Sequence, residues 1–362
     1  MDGFCWQERL ERRIHCRKIS LILMNAESHL NRRDFLQTAA LAAAAFPLVG
    51  LAAQTPGGPK GKPKVGCLSW CFHSFAPGAD PEEAIEIIGE LGFDGIEMIA
   101  TARSDLKDFW TDARIDRYRQ KLERHKLQVS QFVLFQPVVE DLSSLKPEER
   151  ERALDLFEAG CRIGQRLGAP IVNTVAPWAR ELRGPDDYLP RYYELTNPKP
   201  GEKFHIEIAE GFDWDRVWNQ YVETTRACLA RAKAHGMEFS IEQHTHCLVP
   251  DASSFVRLWD AIRDPALGYN LDAGWTLLQR EYPPLAIHKV RRQLMNLHMR
   301  DIDGAMRQFP HFGQGVMDFK AIIDTLKQVG YSGFVSIEQD KHPGDMKETC
   351  RRYLQLMREC IG

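Results

Sequence analysis

The segment Tyr269-Asn270-Leu271-Asp272 decides the fold prediction, because three other segments of the chain repeat its pattern. They read Phe239-Ser240-Ile241-Glu242, Met295-Asn296-Leu297-His298 and Val335-Ser336-Ile337-Glu338. In each segment an apolar residue alternates with a polar one. Successive side chains of a β-strand point to opposite faces, so each segment predicts a strand with one apolar and one polar face. We expect the apolar faces to pack against helices and the polar faces to point inward.

The chain after residue 63 alternates β-like runs with helical stretches, which is typical of parallel βαβ units. The predicted strands are Val65–Trp70, Gly95–Ile99, Gln128–Phe135, Ile171–Ala176, Glu238–His244, Gly268–Asp272, Met295–Arg300 and Phe334–Gln339. Helices are predicted at 81–91, 113–125, 148–167, 215–235, 252–263, 284–292, 318–329 and 345–360. This order predicts an α/β fold, a single (βα)8 TIM barrel over residues 64–362. An open doubly wound sheet would also alternate, but no Gly-rich dinucleotide fingerprint follows the first strand.

Residues 1–53 have the features of an export signal. The stretch Asn31-Arg32-Arg33-Asp34-Phe35-Leu36-Gln37 resembles the twin-arginine motif, and the Ala-rich run that follows it ends in small residues at Ala53. We therefore predict the twin-arginine export machinery as a partner and an exported, periplasmic protein; an uncleaved anchor is the alternative. Residues 1–23 are polar and rich in Arg, so our hypothesis is a true start at Met24. Residues 54–63, rich in Pro, Gly and Lys, are predicted to be a linker.

Charge and cysteine content exclude two classes of protein. The net charge of −3 over 362 residues does not favour binding to a phosphate backbone, so no nucleic-acid partner is expected. The cysteines after Ala53 are odd in number and have no repeating spacing, unlike a disulfide framework. Cys67 and Cys71 resemble half of a thiolate metal site. Because the chain has no matching second pair, we interpret them as buried thiols.

The longest predicted connection, residues 178–214, follows the fourth strand. Its aromatic residues are Trp178, Tyr188, Tyr192, Tyr193, Phe204, Phe212 and Trp214. A connection of this length in a compact domain usually has a function or its own structure. One interpretation is a partial lid whose aromatic rings stack on sugar faces. The other is an insertion that packs on the barrel rim or against a second copy in a homo-oligomer.

Four of the predicted strands carry an acidic residue or a histidine close to their C-terminal ends: Glu242, Asp272, His298 and Glu338. The three carboxylates would together be unfavourable inside a barrel without compensation, since an unpaired buried charge costs several kcal/mol. No Lys or Arg occupies a matching inward position before those strand ends. One divalent ion (Mn²⁺, Mg²⁺, Co²⁺ or Zn²⁺) would neutralise the carboxylates and also bind the imidazole. We therefore predict that these four residues bind one metal ion.

Motifs at the predicted strand ends are similar to those of one known family. They are Ile241-Glu242, Leu271-Asp272-Ala273-Gly274, Leu297-His298-Met299-Arg300-Asp301, Gly313-Gln314-Gly315-Val316-Met317-Asp318-Phe319 and Ile337-Glu338. Through them the chain resembles, over residues 64–360, the xylose-isomerase-like barrel superfamily and specifically its sugar phosphate isomerase/epimerase-type proteins. The resemblance implies the fold and the metal site. It does not define the substrate, because the superfamily hosts isomerases, epimerases, dehydratases and DNA-repair endonucleases.

The resemblance also implies roles for individual residues. In members of the ketose-epimerase type, two metal-bound Glu residues move protons, which implies that Glu242 and Glu338 flank the substrate as catalytic residues. The metal would stabilise the enediolate charge as a Lewis acid. The chain departs from the family at Trp275, where His is frequent. An indole cannot ligate metal or shuttle protons, which counts against a standard epimerase and against a three-metal endonuclease.

Further candidates lie near the predicted strand ends. His244 shares the inward face of Glu242 and could replace the missing base, so it is our third predicted catalytic residue. Arg300 shares the face of His298 and is suited to bind a substrate oxyanion or carboxylate. Glu97, Trp275 and His73 complete the predicted substrate-binding set. The alternative for each is a structural residue of the rim.

These features predict a metal-dependent sugar isomerase or epimerase that transfers protons next to a carbonyl. Export favours an unphosphorylated sugar or keto-sugar as its substrate. A lyase or dehydratase that uses the same enolate chemistry on a keto-sugar or keto-glycoside is the first alternative. A non-catalytic sugar-binding barrel is the second.

Overall fold

Eight parallel strands close into a barrel in the computed structural model, which describes residues 61–183, 207–245, 247–304, 309–339 and 344–362. The barrel strands are β1 Lys64–Leu68, β2 Gly95–Ala100, β3 Gln128–Leu134, β4 Ile171–Val175, β7 Glu238–Glu242, β8 Leu267–Asp272, β9 Leu294–Met299 and β10 Phe334–Ile337. They follow one another around the barrel in chain order, and β10 pairs with β1. Two short strands, β5 Leu182–Arg183 and β6 Glu207–Ile208, form a separate antiparallel pair. The prediction of a TIM barrel is confirmed.

Helices connect the barrel strands. They are α1 Glu82–Leu91, α2 Asp105–Asp108, α3 Asp112–His125, α4 Gln136–Val139, α5 Pro147–Leu167, α6 Trp214–Ala234, α7 Ala252–Ile262, α8 Ala273–Leu278, α9 Pro283–Val290, α10 Phe319–Gln328 and α11 Met346–Ile361. The eight helices expected from the sequence agree with α1, α3, α5, α6, α7, α9, α10 and α11 to within two residues at each end. The sequence pattern did not predict α2, α4 and α8, which are short and follow the ends of β2, β3 and β8. No helix of the described residues is both long and apolar enough to cross a membrane.

Local sequence signals explain where the longer helices begin and end. Asp80 Oδ1 accepts a hydrogen bond of 2.9 Å from the backbone N–H of Glu82, in the first turn of α1. Gly92 ends the same helix with a φ of 86°, in the left-handed region that glycine adopts at no steric cost. At α7, Asp251 and Ser254 form a reciprocal capping box. These signals place the helices between the strands.

The alternating segments use their two faces as expected. The apolar rings face the helices: Tyr269 packs on Phe255 of α7 with ring centroids 4.7 Å apart, and Phe239 packs on Phe157 of α5 at 5.0 Å. The polar face points into the barrel. Asn296 Nδ2 on β9 donates to Glu97 Oε1 on β2 at 2.9 Å, and this contact crosses the interior because β10 and β1 lie between those two strands.

Six of the strands are one or two residues shorter at their C-terminal ends than the sequence pattern predicts. After β1, for example, Ser69–Cys71 forms a 3₁₀ turn. After β7, the Gln243 side chain donates to the backbone oxygen of Asp272 at 2.7 Å, and the strand ladder is not continued. His244 therefore lies two residues beyond the end of β7, where the strand alternation no longer defines a face, and its catalytic role stays a prediction.

Several sequence-based predictions fall outside the described residues. These are the export signal, the linker as far as residue 60, and Tyr188, Tyr192, Tyr193 and Phe204 of the long connection. Of the same connection, Trp178 is buried, whereas Trp214 at the start of α6 is 40% exposed. The homo-oligomer stays a prediction.

The cysteines of the described residues are all free thiols. Cys67 and Cys71 are buried, which confirms their interpretation as buried thiols. A third buried thiol, that of Cys350 from α11, joins them, and sulfur atoms of the three lie within 4.8 Å of one another. The spacing of Cys67 and Cys71 along the chain did not indicate this third neighbour.

Candidate active site

The four residues predicted to bind metal come together at the C-terminal mouth of the barrel. Glu242 ends β7, Asp272 ends β8, His298 is the penultimate residue of β9, and Glu338 follows β10. Each offers one ligand atom within 4.8 Å of those of the others. All four are buried, with between 0% and 8% of their surface exposed. This arrangement follows from the strand register, in which Asp272 lies beside His298 and Ser336 lies beside His298 on the other side.

A hydrogen bond to the next helix holds Asp272 in place. It is the N-cap residue of α8, and its Oδ1 accepts a hydrogen bond of 2.7 Å from the backbone N–H of Trp275. The Asp272 side chain therefore satisfies a helix donor with one oxygen. Its second oxygen, Oδ2, stays directed toward the other site residues.

Glu97 holds His298 from inside the barrel. Glu97 Oε2 lies 2.8 Å from His298 Nε2, and the side chain is fully buried. The other ring nitrogen, Nδ1, lies 3.3 Å from Glu242 Oε2 and 3.1 Å from Glu338 Oε2. A carboxylate on one imidazole nitrogen fixes the tautomer and leaves the other nitrogen to act as a ligand. Glu97 was predicted to bind substrate, and the structure places it behind His298 in the barrel interior; substrate binding by Glu97 stays a prediction.

Amide side chains from the barrel interior support the same residues. Asn270 Nδ2 donates to Glu242 Oε2 at 2.7 Å, and Gln131 Nε2 donates to Glu97 Oε2 at 2.7 Å. Asn296 Nδ2 bridges Glu97 Oε1 and Asn270 Oδ1, at 2.9 Å each. A buried network of this kind restricts the rotamers of the residues above it.

Arg300 lies among the four residues rather than at the open rim. Its Nε donates to Asp272 Oδ2 at 3.2 Å, its Nη2 pairs with Glu338 Oε1, and the residue is 4% exposed. Arg300 directly follows β9 and was not counted as an inward cation when the metal site was predicted from the sequence. The carboxylates are therefore partly compensated by the chain itself. With Glu97 included, however, four carboxylates still face one guanidinium and one imidazole.

Burial and these charges shift the pKa values of the site in opposite directions. Burial raises the pKa of Glu242 and, more strongly, that of Asp272. At Glu338 burial acts in the same sense, but Arg300 and His298 outweigh it and hold the pKa well below its usual value. For His298, burial alone would lower the pKa, whereas the carboxylates of Glu97 and Glu242 raise it well above its usual value.

The donor set fits a divalent cation. Glu338 Oε2 is buried and accepts no hydrogen bond of acceptable geometry from the described residues, although His298 Nδ1 lies 3.1 Å away. A buried carboxylate oxygen without a donor is unfavourable by about 1–3 kcal/mol or more. Three carboxylates and one imidazole suit Mn²⁺, Mg²⁺, Co²⁺ or Zn²⁺. The residues present therefore fit the metal that the sequence predicted.

Aromatic side chains surround the mouth next to these residues. The His244 ring lies 3.6 Å from that of Trp275 and 6.4 Å from that of Trp178. Trp70, which follows β1, donates from Nε1 to Glu338 Oε1 at 3.3 Å, and its ring lies edge-on to His298. Trp275 and His244 thus form one wall of the site and Trp70 another.

His73 lies in the connection after β1, where its ring nitrogens bond to its own loop. Nε2 is 3.0 Å from Ser69 Oγ, and Nδ1 is 2.9 Å from the backbone oxygen of Ser74. The residue is 9% exposed. These contacts hold the connection that carries Trp70. Substrate binding by His73 stays a prediction.

Sequence reasoning missed Trp70, Gln131 and Phe309 as site residues. The sequence pattern predicted Trp70 inside a strand. In the structure β1 ends at Leu68, and Trp70 lies in the 3₁₀ turn that follows it. Gln131 is an inward polar residue of β3, so the alternation used for the last four strands would have identified it. Phe309, whose ring centroid lies 4.2 Å from the Arg300 guanidinium, comes from a loop and carries no such signal.

Residues 85–360 match the family model described as the xylose isomerase-like TIM barrel. The chain belongs to this family. In the segment Gly313-Gln314-Gly315, the backbone N–H groups of Gly313 and Gly315 donate to Asp301 Oδ2 at 3.0 and 2.8 Å. Asp301 is thus a structural residue that fixes the loop after β9.

Solved structures of xylose isomerase-like fold illustrate what this architecture hosts. A 3-keto-D-glucoside 4-epimerase from E. coli is 17% identical, with a TM-score of 0.63 over 83% of this chain and 100% of that one. D-psicose 3-epimerase from Clostridium cellulolyticum H10 is 18% identical, with a TM-score of 0.64 over 82% and 99%. A protein assigned as a 3-DHS dehydratase from Bacillus anthracis is 15% identical, with a TM-score of 0.60 over 82% and 98%. These likenesses show a shared fold. No curated protein sequence matches the chain significantly.

Proposed function

We propose that the protein is a divalent-metal-dependent isomerase or epimerase of a sugar or keto-sugar. The observation that carries this proposal is the group of three buried carboxylates and one imidazole at the C-terminal mouth, in which Glu338 Oε2 accepts no hydrogen bond from the described part of the chain. This mouth is where TIM barrel enzymes have their active sites. The fold likeness to two sugar epimerases supports the same reaction class.

Glu242, Asp272, His298 and Glu338 would hold the metal. A divalent ion bound there supplies Lewis-acid stabilisation of negative charge on substrate oxygens. Glu97 would act through His298, by holding the imidazole so that Nδ1 faces the carboxylates. Its role in this proposal is positioning, in place of the substrate contact expected from the sequence.

Glu242 and Glu338 are the residues proposed to move protons. They come from β7 and β10, which β8 and β9 separate in the barrel, so they approach the site from different sides. A substrate carbon between them could lose a proton to one carboxylate and receive one from the other. Asn270 holds Glu242 and Trp70 holds Glu338 by direct hydrogen bonds.

Trp275 and His244 are proposed to contact the substrate. Trp275 provides a buried aromatic surface of the kind that packs against the apolar face of a sugar ring. The His244 ring packs against that surface in a tilted arrangement, with ring centroids 3.6 Å apart, and in this proposal it supplies the acid–base group that an indole cannot.

A lyase or dehydratase acting on a keto-sugar or keto-glycoside is the second candidate function. The wall formed by Trp275 and His244 favours this function, because Trp275 occupies a position at which many epimerase-type relatives have His. Removal of a proton next to a carbonyl is common to both reactions. They diverge in whether the proton returns to carbon or a group β to the carbonyl leaves. A dehydratase shares the fold.

Solvent exchange separates these functions. The Mn²⁺-loaded protein is incubated in D₂O with unphosphorylated ketohexoses, ketopentoses and 3-keto-glucosides, and products are followed by NMR and mass spectrometry. We expect deuterium at the carbon next to the carbonyl in an isomeric product. Release of water or an aglycone would instead establish the lyase. Binding of these sugars by the metal-loaded protein without exchange or release would contradict an enzyme and favour a sugar-binding barrel.

The choice of unphosphorylated substrates rests on the proposed export. Sugar phosphates are mostly intracellular, whereas the twin-arginine-like motif at residues 31–37 leads us to propose a periplasmic protein. N-terminal sequencing of the mature protein after expression from Met24 tests this proposal. Cleavage close to Ala53 would support it, and an intact N-terminus in the cytoplasmic fraction would contradict it.

A further inference from the structure

Arg300 bridges two of the proposed metal ligands. Its Nε donates to Asp272 Oδ2 at 3.2 Å, and its Nη2 pairs with Glu338 Oε1. The residue is 4% exposed, so solvent screens these contacts little. One buried guanidinium therefore joins carboxylates that follow two different strands of the barrel.

The carboxylates of Glu338 and Asp272, which Arg300 bridges, differ in how many of their oxygen atoms accept hydrogen bonds. Glu338 places Oε1 toward Arg300 and Trp70, while its Oε2 lies toward His298 and accepts no hydrogen bond among the residues that the structure describes. At Asp272 both oxygens already accept a hydrogen bond, Oδ1 from the Trp275 backbone and Oδ2 from Arg300. An oxygen that Asp272 offers to a cation would therefore also carry one of these hydrogen bonds.

The fold provides a fitted place for this guanidinium. Its carbon lies 4.2 Å from the centroid of the Phe309 ring and 5.5 Å from that of Trp275, at distances typical of cation–π contacts. Gly274 leaves room for the side chain, since a Cβ at that position would lie 2.9 Å from Arg300 Cδ and 3.1 Å from its Cγ. The Arg300 stem thus passes over a position where any larger residue would press against it.

We propose that Arg300 is a built-in counter-ion that holds Asp272 and Glu338 in position before a divalent metal binds, and that its positive charge opposes the binding of the metal. This inference rests on the proposed metal site. Without Arg300, the metal-free carboxylates repel one another and the metal-free protein loses stability. With the metal bound, the guanidinium and the ion repel each other, so Arg300 weakens metal binding.

The test compares Mn²⁺ binding and thermal unfolding in Arg300→Gln, Arg300→Lys and Gly274→Ala with the wild-type protein. Mn²⁺ affinity is measured by calorimetry, and the melting temperature is measured after chelation and at saturating Mn²⁺. Arg166→Gln is the control, because Arg166 also pairs with two carboxylates, Asp112 and Asp116, but between exposed helices. None of these variants alters a proposed metal ligand.

We expect Arg300→Gln to bind Mn²⁺ on the order of tenfold more tightly than the wild type. Its melting temperature should fall in the metal-free state and recover with Mn²⁺, so that the metal-linked gain exceeds that of the wild type. Arg300→Lys keeps the charge and should stay close to the wild type. Gly274→Ala displaces the Arg300 side chain, so its Mn²⁺ affinity and melting temperatures should change in the same direction as those of Arg300→Gln. Arg166→Gln should gain as much in melting temperature from Mn²⁺ as the wild type does.

Two failures are distinguishable. If the wild-type protein binds no Mn²⁺, the proposed metal site is wrong. If the wild type binds Mn²⁺ but Arg300→Gln binds it equally or more weakly, with no larger metal-linked gain, the metal site stands and the counter-ion role of Arg300 is overturned. Weaker binding in both Arg300→Gln and Gly274→Ala would assign Arg300 to supporting the ligands instead.

Discussion

Replacing Glu242 with Gln is expected to lower the rate of substrate deuterium exchange by about 10²- to 10⁴-fold, the range typical of a lost general acid–base group. The amide keeps the shape of the side chain and one oxygen, but it cannot accept a proton from carbon. Its NH₂ group would also face Asn270 Nδ2, which now donates to Glu242 Oε2 at 2.7 Å. The measurement is the exchange rate at saturating metal and substrate, for whichever keto-sugar the wild-type protein turns over.

The matched control for this prediction lies on the same strand. Glu238 begins β7 at the opposite end of the barrel and is exposed, whereas Glu242 ends the strand and is 5% exposed. Glu238→Gln should leave exchange unchanged. Exchange in Glu242→Gln within about threefold of the wild type, at full metal occupancy, would show that Glu242 is at most a ligand.

Replacing Glu97 with Gln is expected to weaken metal binding by about 10- to 100-fold, the usual effect of removing a carboxylate behind a ligating histidine. Glu97 contacts His298 Nε2 at 2.8 Å and accepts from Gln131 and Asn296. A Gln amide would set its own NH₂ against one of these donors, so the free energy of unfolding should also fall, by about 1–3 kcal/mol. Calorimetric metal titration and chemical denaturation measure the two effects.

Glu86→Gln is the control for this second prediction. Glu86 is a carboxylate of α1 that pairs with Lys121 and His125 at the protein surface, away from the barrel interior. It should change metal affinity by less than about twofold, since surface ion pairs have small and local effects. Unchanged metal affinity in Glu97→Gln would mean that His298 is oriented by its other neighbours.

The alternation of apolar and polar residues made both the barrel and the ligand set predictable. A strand of a TIM barrel has one face against the helices and one toward the barrel axis. In Ile241-Glu242 and in Leu271-Asp272, the apolar residue belongs to the first face and the acidic residue to the second. The alternation along one strand indicates which of its residues point inward. Because every strand ends at the same mouth, inward residues at successive strand ends had to meet.

The alternation along a strand did not reveal which residues contact each other across the barrel. Glu97 and His298 are 201 positions apart, and only the closure of β2 through β1 and β10 to β9 brings them together. The residues that directly follow a strand kept its alternation, since Glu338 and Arg300 each lie one residue beyond a strand end and still meet in the site. His244 lies two residues beyond the end of β7 and was predicted on the inward face by treating that strand as longer than it is.

Trp275 shows how one departure from a family pattern changes the site around it. Its backbone N–H caps Asp272, its ring packs on His244, and its indole lies beside the Arg300 guanidinium. Trp275 cannot bind metal or transfer protons, but it contacts a proposed ligand, Asp272, a proposed base, His244, and the Arg300 guanidinium.

The central claim, that three carboxylates and an imidazole gather at the barrel mouth because a cation binds among them, is tested most directly by elemental analysis. Protein loaded with Mn²⁺, Mg²⁺, Co²⁺ or Zn²⁺ and freed of excess ion should hold about one divalent metal per chain. His298→Ala should lose most of it, while His288→Ala, an exposed residue of α9, should retain it. Wild-type protein that holds none of these metals, or His298→Ala with full occupancy, would contradict the account.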